Sequence, residues 1–169
     1  MGCFHIKHAL RLVLEKGELM PDPGVFEVVL KGLAAGVVGT AAMTLSEKLE
    51  QAKTGRQDSM VTTEVGAILT KPRLKTGAQA AKLGQVVHWA HGITWGAIRG
   101  LLGLTPLNAF AASAIHYVSL WTSDALLYRT LKIEPLPNKW GKKALLTDLF
   151  HKLVLSGVTS AVFLLLIGS

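Results

Sequence analysis

With Cys3 as its single cysteine, the chain cannot form a disulfide within itself. It is also poor in charge: Asp, Glu, Lys and Arg make up 17% of 169 residues, where an ordinary soluble domain has about 25%. Acidic residues are the scarcer, 11 against 18 Lys and Arg, which leaves a net charge of +7. Aromatics are 7% of the chain. There is no aromatic-rich basic surface of the kind that holds single-stranded nucleic acid, so nucleic acid is not an expected partner. No strand alternation, phosphate loop, nucleophile elbow or Cys-rich zinc spacing occurs. Gly36-Val37-Val38-Gly39 lacks the preceding strand that a dinucleotide fingerprint needs. Met1-Gly2-Cys3 has the form of an acylation start, but Ile6 stands where myristoylation wants Ser or Thr. The apolar run 9–14 is short, is broken by Arg11 and precedes no small-x-small site, so a cleaved signal peptide is not expected.

What the chain has in quantity is apolar length. Half of it is hydrophobic and its mean hydropathy is +0.38. Four apolar stretches, at about 25–46, 83–104, 107–128 and 144–167, have 22 to 24 residues each, and about 20 suffice to cross a bilayer. The expected fold class is therefore all-α, an integral membrane four-helix bundle forming one domain over 1–169. Residues 1–20 read as an amphipathic helix in the membrane interface, with Ile6, Leu10, Val13 and Met20 on one side. A second interfacial helix, 60–69, is expected in the first loop, capped by Asp58 or Ser59. Asp22-Pro23 is the expected start of the first span and Thr105-Pro106 that of the third, so spans two and three form a tight antiparallel hairpin.

Seven basic residues lie in 47–82 and five in 129–143, against five on the other side. The positive-inside rule then places both loops in the cytoplasm and both termini outside. Gly92, Gly96 and Gly100 recur every fourth residue and form a groove that lets another helix approach. Gly32, Gly36 and Gly39 make a second such face. Arg99 is expected at the lipid interface, Trp89, Trp95 and Trp121 in packing, and His116 as a hydrogen-bonded core histidine.

The ionisable residues fall at one depth. Glu47, His88, His91, Asp124, Asp148 and His151 all lie near the inner ends of the spans, in a layer on the order of 10 Å thick at about 1.5 Å per residue. Charged groups in a membrane normally face the bundle interior and pair. His88-x-x-His91 and Asp148-x-x-His151 each put two ligands on one helix face, related to the Glu-x-x-His spacing of soluble di-metal bundles. The six residues are thus a candidate site for a divalent metal ion. His88 and His151, matched in depth, are a candidate haem pair. The same groups suit a proton relay. A hydrogen-bond network that fixes helix register accounts for them as well: Asp124 would pair with His91 or His151, and Asp148 sits where the helix dipole favours a carboxylate.

Several short motifs carry a family likeness: Gly36-Val37-Val38-Gly39-Thr40-Ala41-Ala42-Met43-Thr44, Thr54-Gly55-Arg56, His91-Gly92 with Arg99-Gly100-Leu101-Leu102, Trp140-Gly141 and Asp148-Leu149-Phe150-His151. They resemble uncharacterised small bacterial inner-membrane proteins and, more distantly, the YagU-like inner-membrane family, over about residues 30–155. The resemblance implies a four-span protein of the bacterial inner membrane and supplies no catalytic residues. The function expected is a small integral membrane protein whose His and carboxylate layer binds a metal ion or moves protons. The alternative is an accessory subunit whose glycine faces pack against a larger membrane complex or against copies of itself. A membrane metalloenzyme is a third option.

Overall fold

A computed structural model describes residues 23–70 and 77–168. The amphipathic helix expected over 1–20 and the Asp22 cap lie outside the described residues. Among the described residues the chain is all-helical and has no strand: α1 Pro23–Thr54, α2 Val61–Thr70, α3 Gly77–Leu102, α4 Ala109–Thr130, a 3-10 turn Pro137–Lys139 and α5 Lys142–Ile167. The four long helices coincide with the four apolar stretches. By length and composition, α1 and α5 can cross a membrane. α3 and α4, of 26 and 22 residues, are more polar along their length and are not among them.

The helix ends follow local chemistry. α1 runs well past the expected end of its apolar stretch, because Glu47 to Lys53 contains mostly good helix formers. Gly55 closes it in the left-handed region, φ 71°, with its N–H on the Gln51 carbonyl at 2.8 Å. Ser59 Oγ accepts the Val61 N–H at 3.3 Å and caps α2, while Asp58 pairs with Lys48 instead. The expected Thr105 cap of α4 is corrected. Thr105 Oγ1 donates back to the Leu102 carbonyl at 2.6 Å, and Asn108 Oδ1 takes the Ala111 N–H at 2.8 Å. The turn consumes Thr105 and Pro106, and α4 starts at the next good capping residue.

α1 lies against both α3 and α5, α4 against α5 and α3, and α2 along α3. The two glycine faces found in the sequence meet each other. A Cβ on Gly32 would lie 2.5 Å from the Gly96 carbonyl oxygen, and one on Gly36 would lie 2.8 Å from that of Gly92. A Cβ on Gly96 would collide with the Gly32 carbonyl and the Gly36 backbone. α1 and α3 therefore touch backbone to backbone, an approach that only glycine permits. Gly39 continues the face onto α5, where a Cβ would meet the Leu155 carbonyl at 2.8 Å.

Burial is inverted relative to a water-soluble core. Among the described residues nine buried ones are polar or charged, including Arg99, His116, Asp124, His151 and Lys152, against seven apolar ones. The large apolar side chains point out: Phe110 is 84% exposed, Leu165 73% and Leu45 61%. On α1, α4 and α5 the apolar residues run all round the helix and no polar face opposes them. An apolar exterior around a polar interior suits hydrocarbon as the surrounding medium.

Candidate functional site

Lys152 is the centre of the polar interior. It lies on α5 among apolar neighbours and is 4% exposed. Its ammonium sits 2.7 Å from Asp124 Oδ2 on α4 and 3.3 Å from Asp148 Oδ1, one helical turn earlier on α5. Tyr128 completes the shell, with its hydroxyl 3.4 Å from Nζ and its ring 5.1 Å below it. Asp148 Oδ2 also accepts the Trp121 indole N–H at 2.9 Å. A buried lysine flanked by two carboxylates is a compensated arrangement carrying one surplus negative charge.

His91 of α3 reaches the other oxygen of Asp124: Nε2 is 2.8 Å from Oδ1. The Trp95 indole N–H points at the same Nε2 from 3.1 Å. An indole only donates, and one imidazole nitrogen either carries a proton or offers a lone pair. Nε2 therefore has a partner in each state. Protonated, it donates to Asp124; bare, it accepts from Trp95.

Two further polar groups extend this column along the bundle. His116, fully buried, has Nε2 2.9 Å from the Trp95 carbonyl and Nδ1 2.7 Å from Ser156 Oγ. The carbonyl can only accept, so Nε2 carries the proton and Ser156 donates to Nδ1. His116 is thus the hydrogen-bonded core histidine that was expected. Arg99 corrects the expectation of lipid contact. It is 1% exposed, donates from Nε to Ser160 Oγ at 3.0 Å and lies 4.8 Å over the Phe163 ring. Gly96 and Gly100 hold α3 tight to α1, and the intervening Arg99 is turned inward to α5.

The six expected site residues divide into a group of three, a group of two, and Glu47 by itself. His91, Asp124 and Asp148 join the Lys152 cluster. His88 and His151 turn to hydroxyls on α1: His88 Nε2 is 2.9 Å from Thr44 Oγ1, and His151 Nδ1 is 2.8 Å from Ser46 Oγ. Glu47 stands apart from both histidine contacts. The expectation that His88 and His91 act together is corrected, because side chains three residues apart diverge by about 60° around a helix, enough here to address α1 and α4 separately. Among the described residues no three His, Cys, Asp or Glu side chains gather as a metal ligand set. Where an ion would sit between the carboxylates, Lys152 supplies the positive charge. Its signal in the sequence was Asp148-x-x-x-Lys152, an i, i+4 pair in an apolar helix.

A cavity of about 600 Å³ opens above the cluster. Its walls come from the second half of α1, the starts of α2, α3 and α5, and the segment after α4. His88, His151, Glu47 and Lys152 all line it. A separate pocket of about 70 Å³ is lined by His88, His91, Asp124 and Lys152, of which His88 and Lys152 also line the cavity. The candidate haem histidines thus share one cavity, each bonded to an α1 hydroxyl. No protein-family model, curated protein or solved structure matches the chain.

Proposed function

We propose that this chain is a multi-pass protein of the bacterial inner membrane that relays protons through its polar interior. In this reading the four long helices all span the bilayer. The cavity opens to the cytoplasm, because the basic loops border it, and the termini lie outside. The inverted burial supports the membrane setting. The relay rests on one observation: His91 Nε2 has an acceptor, Asp124, and a donor, Trp95, each within hydrogen-bond reach. A site that satisfies both protonation states of one nitrogen loses little when the proton leaves. The 70 Å³ pocket beside that site shares His88 and Lys152 with the cavity wall. Lys152 holds the other oxygen of Asp124 at 2.7 Å and so fixes the carboxylate against His91.

A metal-binding role draws less support, since the ligands face different partners. An accessory role loses its expected contact surface, because the glycine faces are spent on each other within the chain. The test is proton flux into liposomes that hold the purified protein and an internal pH dye, driven by a potassium diffusion potential. Wild type should acidify the lumen, Asp124→Asn should reduce the rate by about ten-fold or more, and Trp95→Phe should reduce it less. Flux no greater than that of empty liposomes rules the relay out.

A further inference from the structure

The cavity has a wall chemistry of its own. Ser46 donates its one hydroxyl hydrogen to the Met43 carbonyl at 2.8 Å, so its oxygen accepts from His151 Nδ1. The neutral ring then presents Nε2 as a bare lone pair. His151 is 3% exposed, lines the cavity, and its Nε2 has no hydrogen-bond partner among the described residues. Thr44 repeats the device. Its hydroxyl donates to the Thr40 carbonyl at 2.8 Å and accepts from His88 Nε2, which leaves His88 Nδ1 as a second lone pair. Glu47, half-buried on the same wall, has no ion-pair partner among the described residues.

The cations of the wall are mostly spent. Lys48 is held by Asp58 at 2.5 Å, Arg56 by Glu50 at 2.8 Å, and Lys152 by Asp124 and Asp148. Lys139, which has no carboxylate partner among the described residues, sits on the exposed rim. The cations of the interior wall are thus paired, while among the described residues Glu47 and the two histidine lone pairs on it are not. A buried acceptor left empty is costly, so a ligand with N–H donors and a positive charge is the complement. A metal ion would need its ligands to converge at about 2.0–2.2 Å, whereas this space is about 600 Å³ and among the described residues no three ligands gather. Tyr128 and Trp140 add aromatic wall that suits an organic cation.

We propose that this cavity binds a small primary ammonium compound, hydrogen-bonded by His151 Nε2 and His88 Nδ1 and charge-paired with Glu47. The inference needs the cavity wall alone, so loss of proton flux with ammonium binding retained would remove the relay and leave this site standing. The test is calorimetric titration of the full chain in detergent with butylammonium, tetramethylammonium and butyrate, with helix content checked for each variant. Butylammonium should bind saturably. Tetramethylammonium, equal in charge but without N–H groups, should bind about ten-fold more weakly. Glu47→Gln and His151→Phe should each weaken butylammonium by about ten-fold. The proposal is overturned if butyrate binds better than butylammonium, or if Glu47→Gln, which keeps the shape of the wall, leaves the affinity unchanged. A cobalt(II) spectrum lost on His151→Phe and insensitive to butylammonium would also overturn it, in favour of a metal.

Discussion

Two interfaces hold this bundle together by opposite means. Along the glycine seam between α1 and α3, Gly32 and Gly36 face Gly92, Gly96 and Gly100, and the backbones touch. Where α5 meets α3 and α4 there is side-chain chemistry: Lys152, Asp124, Asp148, His91 and Trp121 form a chain of ion pairs and hydrogen bonds. The seam is fixed in spacing because glycine backbones meet there with no side chain between them. The second is changeable because its bonds depend on where protons sit. A close-packed seam on one side of α3 lets its other side hold His91 and Trp95 in register against α4. The contrast teaches that small residues here serve placement and polar residues serve chemistry.

The largest break in this contrast should come at the seam. Gly96→Leu would drive a side chain into the Gly32 carbonyl, which no rotamer avoids, and we expect no folded protein on size-exclusion in detergent. Gly157 on α5 has nothing within 4 Å of an added Cβ. Gly157→Ala should therefore leave thermal stability within about 1 kcal/mol of wild type. A tolerated Gly96→Leu would show that the seam is not a backbone contact. Next in size is the polar junction. Lys152→Met takes the cation from buried Asp124 and half-buried Asp148 and should cost about 3–5 kcal/mol in unfolding experiments. Adding Asp124→Asn should recover part of that cost, since it removes one of the stranded charges. No recovery would mean that Lys152 stabilises by packing.

The smallest effect belongs to the rim. The hydrogen bond from Lys48 holds the Asp58 carboxyl below its ordinary value of 3.8. A depressed carboxylate contributes stability above its ordinary range and loses it as pH falls through the lowered value. The pair is exposed, at 56% and 68%, so Asp58→Asn should shift stability by less than about 1 kcal/mol. That shift should appear near neutral pH and vanish in strong acid.

The glycine seam was legible in advance because its signal is periodic: residues every fourth position share a face whatever the neighbour turns out to be. The partner of each face was not legible, since a groove suited to another copy suits this chain's own α1 equally. The carboxylates and histidines were legible as a set, and the His91–Asp124 pair as one of two options, but the remaining partners were not. Ser46 and Thr44, which fix the two cavity histidines, look like ordinary polar residues at the end of an apolar stretch. Lys152 was hidden by its context, being one lysine in a helix read as apolar. Arg99 was misplaced because arginine near a helix end usually reaches for the interface, whereas here the seam turns it inward to Ser160 and Phe163.

The sequence by itself determined that the chain is helical, where its long helices lie, and that small faces and titratable groups are built into them. Composition and spacing are local properties, and helix geometry converts them directly into stripes. Only the tertiary structure decided that the two glycine stripes are each other's partner. It also decided that Lys152 lies between Asp124 and Asp148, and that His88 and His91 serve different helices. Those outcomes depend on helix rotation and depth, which many distant contacts fix together and no short stretch of chain encodes.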